Sequence, residues 1–159
     1  MKRIIFFRHL PYIWDSGRHM IKYTDFAAAV ALGENLNIDV IIHSPRICDH
    51  TSALALATKS GCQCLVCDER LSSKDFLSPR RFWHDLENNV ASQCETVAII
   101  AGREPLELLG CPPLQYGEFY IHRKTPTTET VLQRGSIEDF QNTCGADIRP
   151  SAEIINYLY

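Results

Sequence analysis

Apolar positions along the chain fall into short continuous runs separated by stretches with a helical repeat. Ile4-Ile5-Phe6-Phe7 is the first run, apolar at every position. A strand reads this way when helices cover both faces of its sheet. Phe26, Ala29, Val30, Leu32 and Leu36 then share one side of a helical repeat, preceded by Thr24-Asp25 as a capping pair. Val40-Ile41-Ile42 is a second buried run, ended by His43-Ser44-Pro45. Ser44 suits an N-cap and Pro45 a first helical position, so a helix is predicted from Pro45 to about Thr58. Cys62 to Cys67 reads as a third strand after the Ser60-Gly61 break, and Ser78-Pro79 opens a helix with Phe82, Leu86 and Val90 spaced four apart. Val97 to Ile100 is predicted as a fourth strand, Pro105 to Leu109 as a short helix, and Phe119 to His122 as a fifth strand at a sheet edge. Beyond Lys124 the pattern predicts only one helix, near Ile137 to Thr143.

Strands alternating with helices predict βαβ units. The expected fold class is α/β, a three-layer αβα sandwich around a mostly parallel central sheet. No repeat or linker interrupts the pattern, so residues 1–159 are read as one domain, long enough to bury a core. A hydrophobic share of 45% and a charged share of 22% agree with a globular chain. The net charge of −3, with Arg80-Arg81 as the one basic cluster, argues against nucleic acid, whose phosphates require a basic stripe. Met1-Lys2-Arg3 has the charge of a signal-peptide start, but the apolar run after it ends at Arg8-His9, too soon for an h-region. No stretch approaches the ~18 apolar residues of a membrane span. A cytoplasmic protein is therefore expected, and its 7 cysteines, an odd number, are read as reduced thiols.

In an open α/β sheet, ligands sit at the carboxyl ends of the strands. Three segments deliver polar residues there: Arg8-His9, His43-Ser44-Pro45-Arg46 and Gly102-Arg103. Guanidinium groups make fork-like bonds to phosphate oxygens, and a helix N-terminus adds unpaired N–H groups. The expectation is an oxyanion pocket in which Arg8, Ser44, Arg46 and Arg103 contact phosphate and His43, Cys48 and Gly102 line the wall. A neutral imidazole beside a guanidinium can attack phosphorus while the cation offsets charge on the transferring oxygens. That makes His9 and Arg8 the candidate catalytic pair.

Phe6-Phe7-Arg8-His9 resembles the strand-Arg-His signature of the histidine phosphatase (phosphoglycerate mutase-like) superfamily. Asp39-Val40-Ile41-Ile42-His43-Ser44-Pro45, followed by Thr51-Ser52-Ala53, resembles that superfamily's strand, Ser-Pro and helix segment. In length the chain is most similar to the small SixA-type phosphohistidine phosphatases. The resemblance spans about two-thirds of the chain and rests on order and spacing rather than on any one motif. It implies a phosphoglycerate-mutase-like fold, transfer through a phosphorylated His9, and no cofactor. Two positions depart from it. Cys48 stands where the family pattern has a second arginine, and Gly102 where it has a second histidine. Losing one such stabilising group commonly costs roughly 100-fold in rate. The resemblance then implies a pseudoenzyme that binds phosphate, a small phosphorylated ligand or a phosphoprotein with weak or no turnover. The alternative is an active phosphomonoesterase or phosphohistidine phosphatase in which Arg46, Arg103 or His43 substitutes. Arg46 lies ~200° from Cys48 around an ideal helix, so it would serve by folding back over the helix end. Asp68, Glu69 and Asp75 are candidate proton donors.

Plainer readings compete for each residue. Arg8-His9 can be a surface dipeptide, Arg46 and Arg103 solvated charges, and His43, His19, His50, His84 and His122 structural histidines. Cys62, Cys64 and Cys67 lack a second knuckle at suitable spacing, so no metal is expected. Cys64 and Arg70 have the spacing of a cysteine-phosphatase loop, but Leu65-Val66-Cys67-Asp68-Glu69 lacks its glycine-bearing turns. Cys48 is either a thiol activated by the helix end and Arg8 or a small apolar filler. Trp14 and Trp83, with Tyr12 and Phe82, are expected in the core or pocket wall. These readings share one spatial expectation: residues 4–7 form an interior strand, and Arg8 and His9 open into a cleft facing the helix that Pro45 begins.

Overall fold

In the computed structural model, which describes residues 2–90, 93–124, 127–141 and 156–159, the run Ile4 to Phe7 lies inside a strand, β1 (Lys2–Arg8). Its four apolar side chains are all buried, split between two cores on opposite faces of one sheet. Ile5 and Phe7 pack toward α1 (Tyr23–Leu36) and α2 (Ile47–Ser60) with Ile41, Ala98 and Ile100. Ile4 and Phe6 pack toward α3 (Pro79–Asn89) and α4 (Arg103–Leu108) with Val40, Ile42, Val97 and Ile99. Alternation of side chains across the pleat makes this division, and it produces the three-layer αβα arrangement.

The sheet contains β1, β4 (Val40–His43), β5 (Cys64–Cys67), β6 (Thr96–Ala101), β7 (Glu118–Lys124) and β8 (Glu129–Ser136), in the order β5-β4-β6-β1-β7-β8. The first four strands of that order run parallel, and β7 and β8 are antiparallel additions. β6 enters between β4 and β1, with Arg8 in register with Ala101 and His43 with Ile100. The chain exits after Arg8, His43 and Ala101 therefore share one sheet edge, at a reversal of strand order where α/β sheets bind ligands. The Asp39 carboxylate accepts bonds from the N–H groups of Glu95 (2.9 Å) and Thr96 (2.8 Å), pinning the start of β6 beside β4.

Several elements differ from the sequence pattern. β7 is not an edge strand, because β8 covers it. β8 was illegible because most of its residues are exposed, leaving no apolar alternation. A separate hairpin, β2 (Tyr12–Asp15) and β3 (Arg18–Ile21), was also unread. Its two-residue turn has positive φ at Ser16 (49°) and Gly17 (78°), the conformation that matches strand twist in tight hairpins. Helix α1 starts before Thr24, with no side-chain cap, because the Tyr157–Tyr159 segment pairs with Ile21 and accepts the Tyr23 N–H. Helix α2 starts at Ile47, two residues later than Pro45, and the cause matters for the site. The helix expected near Ile137 to Thr143 is a single 3-10 turn, Ile137–Phe140; residues 142 and 143 lie outside the described set.

Candidate functional site

Beyond β1, the Arg8-His9-Leu10 turn is anchored at each residue. The Gly117 N–H donates to both Arg8 O (3.1 Å) and His9 O (3.2 Å). The Leu10 N–H donates to Ser52 Oγ at 2.9 Å, and that hydroxyl donates to Cys48 O at 2.6 Å, tying the turn to α2. His9 is buried, with Nδ1 3.0 Å from Leu10 O. A carbonyl only accepts, so Nδ1 carries the proton and Nε2 holds the lone pair. Burial pushes the His9 pKa down to about 4, with Arg46 and Arg8 adding to the effect, so the imidazole is neutral at physiological pH.

Arg8 is half-buried. Its Nη1 donates to Leu114 O at 2.8 Å and its guanidinium carbon sits 3.9 Å from the Tyr116 ring centre. Its Nε is buried with no hydrogen-bond partner. Tyr116 and Tyr12 flank the His9 ring at 5.2 and 5.6 Å. His19, on the hairpin, packs against Tyr12 at 4.5 Å, and burial followed by Arg46 lowers its pKa. Trp14 is 65% exposed on the same hairpin, so it is neither core nor pocket wall as expected.

Ser44 does not cap α2 in the expected way. Its hydroxyl accepts from Arg46 N at 3.2 Å, a local turn bond, and donates to the Asp49 carboxylate. Arg46 becomes the N-cap, outside the helical repeat, so the ~200° separation from Cys48 does not apply. Its guanidinium crosses to β6: a Cβ added at Gly102 would lie 3.3 Å from Arg46 Nη1. It also hydrogen-bonds Tyr12. Burial works against the charge, but Cys48, Asp49 and Tyr12 outweigh it and hold the Arg46 pKa above its ordinary value. An arginine from one strand exit thus fills the space that a side chain at 102 would enter.

Cys48 is fully buried, and burial pushes its pKa up to about 11, with Asp49 adding to the rise. The activated-thiol reading is therefore corrected: desolvation of a thiolate outweighs the neighbouring cation. His43 is buried too, with Nδ1 2.7 Å from Ser44 O and Nε2 3.4 Å from His50 Nδ1, so both ring nitrogens are engaged. Arg103 does not join the group. It is exposed and paired with Glu107 one helical turn on, at 2.7 Å. Among the proposed proton donors, Asp68 is paired with Arg70 at 2.7 Å, while Glu69 and Asp75 are exposed. The thiols of Cys62, Cys64 and Cys67 are free, and β5 begins only at Cys64.

Two residues here, Asp49 and Tyr116, were not nominated from the sequence; Tyr12 stands beside His9 as a pocket-wall residue should, and His19 packs on it rather than being a merely structural histidine. Asp49 is fully buried, and burial pushes its carboxyl pKa up to about 7 against the pull of Ser44 and Arg46. Its signal was present, since it stands four and seven residues before the apolar Ala53 and Leu56 on one helix face. Tyr116 is 108 positions from Arg8 and carries no comparable local signal.

The fold, as distinct from the site, is shared with solved structures. The protein histidine phosphatase SixA complexed with tungstate superposes with a TM-score of 0.66 at 11% identity, covering 86% of this chain and 98% of the other. The fold is that of the histidine phosphatases. A mycobacterial glucosyl-3-phosphoglycerate phosphatase complexed with VO3 matches with a TM-score of 0.60 at 11% identity, over 82% of this chain and 97% of the other. YhfR of Bacillus stearothermophilus gives 0.59 at 15% identity, over 82% and 95%. By sequence, no family profile matches the chain and no curated protein does. The likeness to these structures is one of fold, at 11–15% sequence identity. No helix among the described residues is long and apolar enough to cross a membrane.

Proposed function

We propose that this histidine-phosphatase-fold protein binds phosphate or a phosphorylated ligand between Arg8, His9 and Arg46, with weak or no turnover. The supporting observation is the placement of Arg46 over Gly102, which brings a second guanidinium toward the Arg8-His9 turn from the exit of β4, across β6. The buried, unpartnered Arg8 Nε is a donor suited to an oxyanion oxygen. Two cations thus serve binding. Low turnover follows from what Arg46 lacks, since a guanidinium cannot stand in for a proton-transferring imidazole. The two solved relatives carrying tungstate and VO3 are consistent with an oxyanion pocket in this fold.

A second reading, an active phosphomonoesterase or phosphohistidine phosphatase, is favoured by the His9 tautomer. With Nδ1–H held by Leu10 O, the Nε2 lone pair is free to attack phosphorus in line with a leaving group. Turnover separates the two readings. Hydrolysis of an aryl phosphate and of a phosphohistidine peptide is expected to be equally slow in wild type and His9→Ala. Appreciable hydrolysis that disappears in His9→Ala would establish the second.

Binding is tested apart from turnover. Phosphate, vanadate or tungstate is expected to raise the melting temperature, with affinity at least about 10-fold weaker in Arg46→Ala, because a hydrogen bond to a charged group contributes about 1.5–3 kcal/mol. Equal shifts in the two proteins would remove Arg46 from the site, and no shift with any oxyanion would remove the anion-binding reading. Gly102→Ala is expected to weaken binding more modestly, because its methyl presses Arg46 Nη1 from 3.3 Å.

A further inference from the structure

His9, Cys48 and Asp49 are all buried, and one donor atom from each lies within 4.8 Å of the other two. They form the one group of three such donors close enough to hold a metal ion among the described residues. Asp49 supplies a second, independent observation. Its carboxyl is fully buried, Ser44 occupies one oxygen, and Oδ1 has no hydrogen-bond partner. Buried carboxylate oxygens are rarely left without a donor or a cation.

We propose that His9, Cys48 and Asp49 form a binding site for a divalent transition metal, with zinc the best chemical fit. The donor set is one imidazole, one thiolate and one carboxylate, the mixed set zinc accepts in tetrahedral geometry, and three protein ligands leave a fourth position for solvent or a ligand oxygen. Zinc bonds of about 2.0–2.3 Å place neighbouring ligand atoms about 3.3–3.8 Å apart. Donor atoms within 4.8 Å of one another would therefore draw together by up to about 1–1.5 Å around the ion. Outer contacts for two of the ligands are already in place. Leu10 O holds His9 Nδ1–H and so presents Nε2, and the Ser44 hydroxyl orients the Asp49 carboxylate. On binding, the Cys48 S–H proton, and the carboxyl proton of any protonated Asp49, pass to solvent as the sulfur–metal and oxygen–metal bonds form; no electron is transferred.

The site does not rest on the phosphate reading, since it is built from donor atoms rather than from the two guanidinium groups. It bears on that reading in one way. A metal on Nε2 takes the lone pair that phosphoryl transfer needs, so the metal-bound form cannot form a phosphorylated His9.

The test uses the full chain, stripped with a chelator and titrated with Co²⁺ alone in reducing, phosphate-free buffer. One equivalent is expected to bind with thiolate-to-cobalt charge-transfer absorption and intense tetrahedral d–d bands, both lost on adding Zn²⁺. The spectrum is expected to persist when Cys62, Cys64 and Cys67 are all changed to alanine and to lose its charge-transfer band in Cys48→Ser. Asp49→Asn, which keeps the side-chain shape, is expected to weaken cobalt binding at least 10-fold. No stoichiometric cobalt binding, or a charge-transfer band that survives Cys48→Ser, overturns the site. Should Cys48→Ser fail to fold by circular dichroism, unchanged cobalt affinity in Asp49→Asn overturns it instead.

Discussion

Gly33→Ala is expected to lower the stability of the protein by more than about 3 kcal/mol, read as a fall in the urea midpoint with little change in slope. Gly33 lies in α1 where it crosses α2, and a Cβ built there would stand 2.2 Å from Leu56 O, 2.9 Å from Leu56 C and 3.1 Å from Leu56 Cα. All three neighbours are backbone atoms of α2, so no rotamer change relieves the clash. The two helices must move apart, and both pack into the core that holds Ile5 and Phe7. Overpacking a dense core commonly costs about 1–3 kcal/mol when side chains can yield, and here none can. Helix α2 also carries Cys48, Asp49 and Ser52, so oxyanion binding is expected to weaken together with stability. Gly61→Ala is the control. Gly61 has φ of 79° with nothing within 4 Å of an added Cβ, so its cost is the backbone term alone, about 1–2 kcal/mol. A loss below that of Gly61→Ala would show that α1 and α2 are not packed this closely.

Ser52→Ala is expected to cost about 2 kcal/mol and to loosen the Arg8-His9-Leu10 turn. The Ser52 hydroxyl is fully buried and accepts the Leu10 N–H at 2.9 Å, so its removal leaves that donor buried without the bond. A buried donor stripped of its partner costs about 1–3 kcal/mol. Leu10 also supplies the carbonyl that holds His9 Nδ1, so freeing its N–H lets the turn shift and the imidazole reorient. Two measurements check this: the unfolding free energy, and the affinity for vanadate or tungstate, which is expected to fall about 10-fold. A variant matching wild type in both would show that Ser52 does not hold the turn.

How much of this was readable in the sequence varied with the range of the interactions involved. Residues 4–7 announced an interior strand because every side chain is apolar, and both cores confirm why: each face of β1 is covered. The β4-to-α2 segment showed its strand, its Ser-Pro exit and its helix, yet the helix start came out two residues early. Pattern rules treat a serine before proline as a cap; here Asp49, five positions on, takes the Ser44 hydroxyl instead. That local change determines where Arg46 goes. β8 and the β2-β3 hairpin stayed hidden because exposed strands carry little apolar patterning, although Ser16-Gly17 was a turn signal.

The order of apolar runs and helical repeats was enough to specify the α/β class, the parallel core strands and the nomination of Arg8, His9, Ser44 and Arg46, because those features depend on residues near one another in the chain. Which nominated groups meet is a long-range matter. Strand order brings the exits of β1, β4 and β6 to one edge, which lets Arg46 lie over Gly102 while Arg103, beside that glycine, turns to Glu107. Burial then sets the chemistry, making Cys48 a high-pKa thiol rather than an activated one and joining it to His9 and Asp49. Solvent exclusion and contacts across 40 to 110 positions have no signature in local spacing, so tertiary packing alone decided them.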